Sequence, residues 1–292
     1  MIKIILIIVA VFIVYCLIEM IIELRDFRVT KYRICSQKLN GIKREKKIIF
    51  LSDLHNRMYG EENERLLESI RNQHPDLILI GGDMLVRKDG NSYDKTVHFL
   101  AKLPGICPVY CANGNHEQKL KELPDKYEQS YEEYKKALTA SGIHMLENAS
   151  ETVKLEEVPV KLSGLEIPLG AYARFGKKEL SLKEITDRIG EHGDDYQILL
   201  AHHPGYIQEY LEYGADLILS GHYHGGVMQL PGIGGVISPD FTLFPKYSGG
   251  IYREGAQTVV VSRGLGTHSV PVRLWNWPEL IVLELSGTSE EM

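Results

Sequence analysis

Ile48-Ile49-Phe50-Leu51-Ser52-Asp53-Leu54-His55 sets the reading of this chain. Its apolar run is too short for a helix and suits a strand buried on both faces. The run stops at a carboxylate and an imidazole two residues apart, which face the same side if strand geometry continues. The same construction recurs along the sequence. Leu77-Ile78-Leu79-Ile80 leads into Gly81-Gly82-Asp83, and Val109-Tyr110-Cys111-Ala112 leads through Gly114 into Asn115-His116-Glu117. Ile198-Leu199-Leu200-Ala201 leads into His202-His203-Pro204, and Leu217-Ile218-Leu219-Ser220 into Gly221-His222-Tyr223-His224-Gly225-Gly226.

Between these runs the pattern is helical. Residues 62–73 place Leu66, Leu67 and Ile70 on one face, and further helices are predicted over 97–103, 127–140 and 182–189. Residues 152–162 and 165–169 read as shorter, alternating strands, and 259–261 and 281–283 as apolar ones. The β-α-β-α-β rhythm predicts an α/β fold with helices packed on a sheet, and no internal repeat interrupts it.

Each motif taken alone has an ordinary structural role. Asp-x-His triplets are frequent, Asp83 suits a turn or a helix cap, and Asn115 suits a turn in Asn113-Gly114-Asn115. Together they supply two Asp, one Asn and several His at the ends of apolar runs. Oxygen and imidazole donors without thiolates suit Mn, Fe or Zn. Two such ions can clamp a phosphoryl group and activate a water. His202 and His203 are neighbours on one strand, so only one of them should face the site. His116 is placed to act as a general acid, with Glu117 orienting it.

Net charge is −6, and no stripe of interleaved basic and aromatic residues appears, which argues against a nucleic-acid binder or nuclease. Cys107 and Cys111 lie on or beside one predicted strand, about 13 Å apart, beyond disulfide reach.

The N-terminus differs from the rest. Ile4 to Ile18 carry no charge, and the apolar run reaches Ile22 with Glu19 as its only interruption. Some 19 residues rise about 28 Å, close to the hydrocarbon thickness of a bilayer. No small-x-small cleavage site follows, so residues 1–26 are expected to be an uncleaved single-pass anchor in the cell membrane rather than a signal peptide. Arg25, Arg28, Lys31, Arg33 and Lys38 follow the span, against Lys3 before it, which leans toward a domain on the cytoplasmic face. Residues 27–46 read as a basic linker, with Lys43, Arg44, Lys46 and the adjoining Lys47 either solvated or touching anionic lipid. The domain proper is placed at 47–286.

Asp53-Leu54-His55, Gly82-Asp83, Gly114-Asn115-His116-Glu117, His202 and Gly221-His222-Tyr223-His224 resemble the motif set of the calcineurin-like metallophosphoesterase superfamily. The resemblance implies a four-layer α/β/β/α sandwich and two divalent metal ions. It implies that Asp53, His55 and His224 hold one ion, that Asp83 bridges, that Asn115, His202 and His222 hold the other, and that His116 stands beside the leaving group. Further segments are similar to a bacterial, often membrane-associated branch: residues 244–250, Ser262-Arg263-Gly264-Leu265-Gly266, Pro271-Val272-Arg273 and Pro278-Glu279. That branch includes phosphodiesterases and UDP-2,3-diacylglucosamine pyrophosphatases. It implies hydrolysis of a phosphodiester or pyrophosphate in a small or lipid-linked substrate. Val227-Met228-Gln229, His268 and Trp275-Asn276-Trp277 depart from the branch and bear on the substrate. Arg263, Lys246 and Arg273 are the candidate phosphate contacts, by charge. The alternatives are a catalytically silent metal-binding scaffold of the same fold and a phosphoprotein phosphatase.

Overall fold

The computed structural model describes residues 1–86, 92–126, 130–173, 178–230, 232–267 and 271–288. In chain order the strands are β1 (Arg28–Cys35), β2 (Lys46–Leu51), β3 (Leu77–Ile80), β4 (Val109–Cys111), β5 (Ile143–Met145), β6 (Ala149–Leu155), β7 (Val158–Leu165), β8 (Tyr196–Ala201), β9 (Leu217–Ser220), β10 (Gln229–Leu230), β11 (Gly234–Gly235), β12 (Gly250–Glu254), β13 (Gln257–Val261) and β14 (Glu279–Ser286). The helices are α1 (Ile2–Glu23), α2 (Glu64–Asn72), α3 (Asp94–Leu100), α4 (Asn115–Glu122), α5 (Tyr131–Ala140), α6 (Leu182–Ile189) and α7 (Ile207–Tyr213).

One sheet runs β1-β14-β2-β3-β4-β5, with β2 through β5 parallel and β14 antiparallel to β2. The other runs β12-β13-β9-β8-β7-β6, with its four central strands parallel and both edges antiparallel. Alternate residues of each strand go to opposite cores. Ile48 and Phe50 meet Leu162, Ile198, Leu200 and Leu219 between the sheets. Ile49 and Leu51 turn outward onto Leu66, Ile70, Phe99 and Leu138 of α2, α3 and α5. On the far side Leu199, Ile218 and Val259 pack on Ile185 of α6 and Tyr210 of α7. Burial on both faces explains the unbroken apolar runs, and the result is the expected four-layer α/β/β/α sandwich.

The structure departs from expectation in several places. Residues 28–35, placed in a basic linker, form β1, an edge strand in parallel register with β14 from Arg28↔Glu279 to Cys35↔Ser286. Ile34 is buried and Tyr32 packs on the inter-sheet core, while Lys31 and Arg33 reach Glu284 at 3.8 and 3.3 Å. Charged outward residues are a common guard on an edge strand, and they hid this one. Lys46 is buried and ion-paired with Glu156 at 2.8 Å, and Arg44 pairs with Asp76, so neither is a loose lipid contact. The strand expected over 165–169 ends at Leu165, and a short 3-10 turn follows Pro168. α5 starts at Tyr131, where Ser130 accepts a hydrogen bond from the Glu133 amide; residues 127–129 of its expected span lie outside the described residues. All four cysteines are free thiols.

α1 is long and apolar enough to cross a membrane, with a mean hydropathy of 3.1 over its most apolar 18 residues. It does not trail away from the domain. Trp275 lies against Phe12, ring centroids 6.4 Å apart, and Val272 and Leu274 share an apolar groove with Phe12, Ile13, Cys16, Leu17 and Met20. At the helix end, buried Glu23 accepts the Asn276 amide at 3.1 and 3.0 Å on its two carboxylate oxygens.

Candidate metal centre

The C-terminal ends of β2, β3, β8 and β9 each hand over to a turn that carries one or two of the motif residues. Asp53, His55, Asp83, His222 and His224 all have left-handed backbones, with φ of 54°, 49°, 53°, 63° and 50°. Simple continuation of strand geometry, the expectation from the i, i+2 spacing, is therefore not what aims them. Left-handed turns do, a conformation that non-glycine residues hold only where the surroundings enforce it. Two glycines make room. Gly82 itself has φ of 92°, and a Cβ there would fall 2.1 Å from the Gly114 amide nitrogen. A Cβ on Gly221 would fall 2.2 Å from Asp53 Oδ2.

These segments bring seven predicted residues into overlapping groups. Asp53, His55 and His224 form one; His55, Asp83 and His116 a second; Asp83, His202 and His222 a third, with ligand atoms inside each group within 4.8 Å. His55 Nε2 lies 3.0 Å from His224 Nε2. His202 Nε2 stands 3.2 Å from Asp83 Oδ2 and 3.7 Å from Asp53 Oδ1, and His224 Nε2 stands 3.3 Å from Asp53 Oδ1. The Nδ1 of His202 donates to the Gly81 carbonyl at 2.7 Å, which turns its other nitrogen to the carboxylates. Asn115 opens α4, and its Oδ1 is buried with no hydrogen-bond partner, as are Asp83 Oδ2 and His202 Nε2. His203 goes elsewhere: its Nδ1 accepts the Gly205 amide, and its ring packs among Tyr172, Tyr206 and Tyr223. The structure groups His202, rather than His203, with Asp83 and His222.

The electrostatics of the cluster favour positive charge. Burial pushes the Asp53 carboxyl up to about 6. Burial also opposes ionisation of Asp83, but His202, His116 and His55 outweigh it and hold that carboxyl well below its usual range. Burial disfavours a proton on His202, yet Asp83 and Asp53 hold one there, raising it to about 10. The carboxylates thus stabilise positive charge on the imidazole between them. A divalent cation would supply that charge in place of the proton and leave the imidazole nitrogen as a lone-pair donor to it, so the donor set fits metal ions.

Several supporting residues were not legible in the motifs. Glu117, expected to orient His116, instead accepts the amides of Asp83, Met84 and Gly114 at 2.8, 2.8 and 3.0 Å. It staples the Asp83 turn to the start of α4, and burial beside Asp83 pushes its carboxyl up to about 7. His116 is held through its own backbone, whose amide donates to Asp83 Oδ1 at 2.8 Å. Asn276 donates from its side chain to the carbonyls of His224, at 2.7 Å, and Gly226. Glu23 and Asn276 therefore connect the end of α1 to the His224 turn.

The three candidate phosphate contacts separate. Arg273 is buried, 2% exposed, and donates to the carbonyls of Asn276, Arg263, Gly264 and Gly266. It fixes the 263–266 turn around Asp53 and offers no free fork to a substrate; that expectation is corrected. Burial lowers it to about 10. Arg263 and Lys246 share a cavity of about 460 Å³ with Gln229, Ser248, Tyr252 and Trp275, whose lining includes none of the candidate metal ligands. Lys246 also pairs with Glu254 at 2.8 Å. His268 lies outside the described residues.

Relatives agree with this chemistry. Residues 46–226 match the family profile described as calcineurin-like phosphoesterase. The chain is 30% identical to an uncharacterized metallophosphoesterase, YkuE, of Bacillus subtilis (strain 168), over 83% of this chain and 80% of that protein. It is 25% identical to the phosphodiesterase YaeI of Escherichia coli (strain K12), over 82% of each chain. It is 24% identical to the UDP-2,3-diacylglucosamine pyrophosphatase LpxG of Chlamydia muridarum (strain MoPn / Nigg), over 81% of this chain and 82% of that one. With the sandwich, the convergent imidazoles and carboxylates and these relatives in agreement, the chain belongs to the calcineurin-like phosphoesterase family and is a metal-dependent phosphoester hydrolase.

Proposed function

We propose that the chain cleaves a phosphodiester or pyrophosphate bond at a binuclear metal centre, in a small or lipid-linked substrate at a membrane surface. The observation that carries the reading is the position of Asp83, whose carboxylate belongs both to the group with His55 and His116 and to the group with His202 and His222. Asp53, His55 and His224 would hold one divalent ion, and Asn115, His202 and His222 the other, with Asp83 shared. Mn, Fe and Zn suit such donors. When bound, the ions would supply positive charge for the phosphoryl oxygens and a more acidic attacking water.

The chain's own residues do the rest. Gly81 holds the ring of His202 in one orientation, and Glu117 holds the Asp83 turn. The His116 imidazole, edge-on to His55 at 4.9 Å between centroids, would deliver a proton to the leaving oxygen. Arg263 is the remaining guanidinium for a distal phosphate or headgroup. The preference for diesters and anhydrides is supported by the phosphodiesterase and pyrophosphatase relatives. Membrane attachment is supported by α1, and the cytoplasmic side by the excess of Lys and Arg after it.

The test uses the full-length chain in detergent. Stripped with EDTA, it should lose hydrolysis of bis(p-nitrophenyl) phosphate, and added Mn²⁺ should restore it, with p-nitrophenyl phosphate turned over more slowly. Undiminished activity after complete chelation would overturn the mechanism, and a preference for the monoester would overturn the substrate class.

A further inference from the structure

Outside α1, the exposed large apolar side chains among the described residues are Val29, Leu123, Leu182, Val227, Ile233, Phe241, Leu243 and Phe244. Five of these eight fall in residues 227–244. Ile233, Leu243, Phe244 and Phe241 are 64%, 63%, 55% and 54% exposed. The segment's only ionisable side chain is Asp240, and it is buried, taking a hydrogen bond from Tyr223 at 3.3 Å. Scattered apolar side chains on a surface are ordinary, but a concentration without exposed charge marks a contact surface.

This surface is continuous with the groove that holds α1. The Gln229 amide donates to the Leu274 carbonyl at 3.1 Å, the Val236 amide to Met228 at 2.9 Å, and the Phe244 amide to Val236 at 3.0 Å. Successive segments therefore lie side by side as a narrow ribbon, about 14 Å across at sheet spacing. Its first segment ends in Leu274 and Trp275, which touch α1. Ile233 and Trp275 also line one cavity. Phe12, the partner of Trp275, lies 11 residues before Glu23, about 16 Å along the helix. Lipid that covers the C-terminal half of α1 must therefore also meet Val272, Leu274 and Trp275.

We infer that residues 227–244, with 272–275, form an apolar ridge that enters the same leaflet as the C-terminal half of α1, so that the domain is seated in the bilayer rather than tethered above it. The occupant is the lipid leaflet itself, argued from the ridge's continuity with the helix groove and its lack of exposed charge. The inference rests on reading α1 as a membrane anchor. Trp275 lies between the ridge and the helix, against Phe12 on one side and in the cavity of Ile233 on the other.

The test places single tryptophans in the full-length chain with W275F and W277F, reconstituted in vesicles of phosphatidylethanolamine and phosphatidylglycerol containing brominated acyl chains. Phe244→Trp and Ile233→Trp should show blue-shifted emission, quenched to an extent comparable with Ile13→Trp in α1, while Leu182→Trp on α6 should stay red-shifted and unquenched. Each variant is first shown to be folded in detergent by its circular dichroism spectrum and a cooperative thermal transition. If Ile13→Trp is quenched but both ridge tryptophans resemble Leu182→Trp, the ridge is not in the leaflet while the anchor stands. If Ile13→Trp is unquenched as well, the anchor reading and this inference fall together.

Discussion

Among the described residues of 46–226, strands buried on both faces carry the site, and β2, β3 and β9 each end in a left-handed turn that presents a carboxylate or imidazole. The described residues of 227–278 have little regular structure outside the two-residue β10–β11 pair and the β12–β13 hairpin, and are held largely by side chains that collect backbone carbonyls. Arg273 gathers four carbonyls and Asn276 two, one of them that of His224. The first region would supply the chemistry, and the second fixes the His224 turn and joins it to α1 through Glu23. A change in the first region should therefore alter metal content or turnover with the fold intact. A change in the second should act through stability or substrate affinity.

The largest effect should come from Asp83→Asn. On the proposed arrangement this removes charge from both ion positions, so elemental analysis should find metal reduced to background and activity abolished, with an unchanged circular dichroism spectrum. A variant that retained both ions would show that Asp83 is not shared. His116→Ala should keep its metal and lower kcat by about 10²–10⁴-fold, the range for a lost general acid. Loss of metal in that variant would move His116 from proton donor to ligand.

How much of this was open to sequence reading follows burial. β3, β9 and α6 fall where their apolar patterns place them, because a doubly buried strand or a capped amphipathic helix announces itself locally. In α6, Ser181 and Glu184 exchange hydrogen bonds with each other's backbone. β1 stayed hidden because Lys31 and Arg33 face outward and only Ile34 is buried. Residue types at the site were legible, but their aim was not, since the left-handed turns depend on neighbours such as Gly221 packing on Asp53. Arg273 illustrates the limit. By charge it resembled Arg263, and only long-range folding decides that one becomes an internal clamp while the other lines a cavity. The Glu23–Asn276 contact spans 253 residues and leaves no local signal.

That pair of arginines sharpens the comparison. Arg273→Ala leaves buried carbonyls without donors, at about 1–3 kcal/mol for each group left unsatisfied, so thermal unfolding should show a marked fall in Tm. Arg263→Ala should leave Tm and metal content nearly unchanged and raise KM for the physiological diester or anhydride. An equal fall in Tm for both would erase the distinction drawn here. An unaltered KM in Arg263→Ala would remove that residue from the substrate site.

The central claim is that one cluster of turns holds two ions. The most direct measurement is elemental analysis of the full-length chain, purified without chelator and titrated with Mn²⁺ after stripping, with activity followed in parallel. The account predicts saturation at two ions per chain, with activity rising as the second site fills. Full activity at one ion per chain, or activity indifferent to the metal, would contradict it.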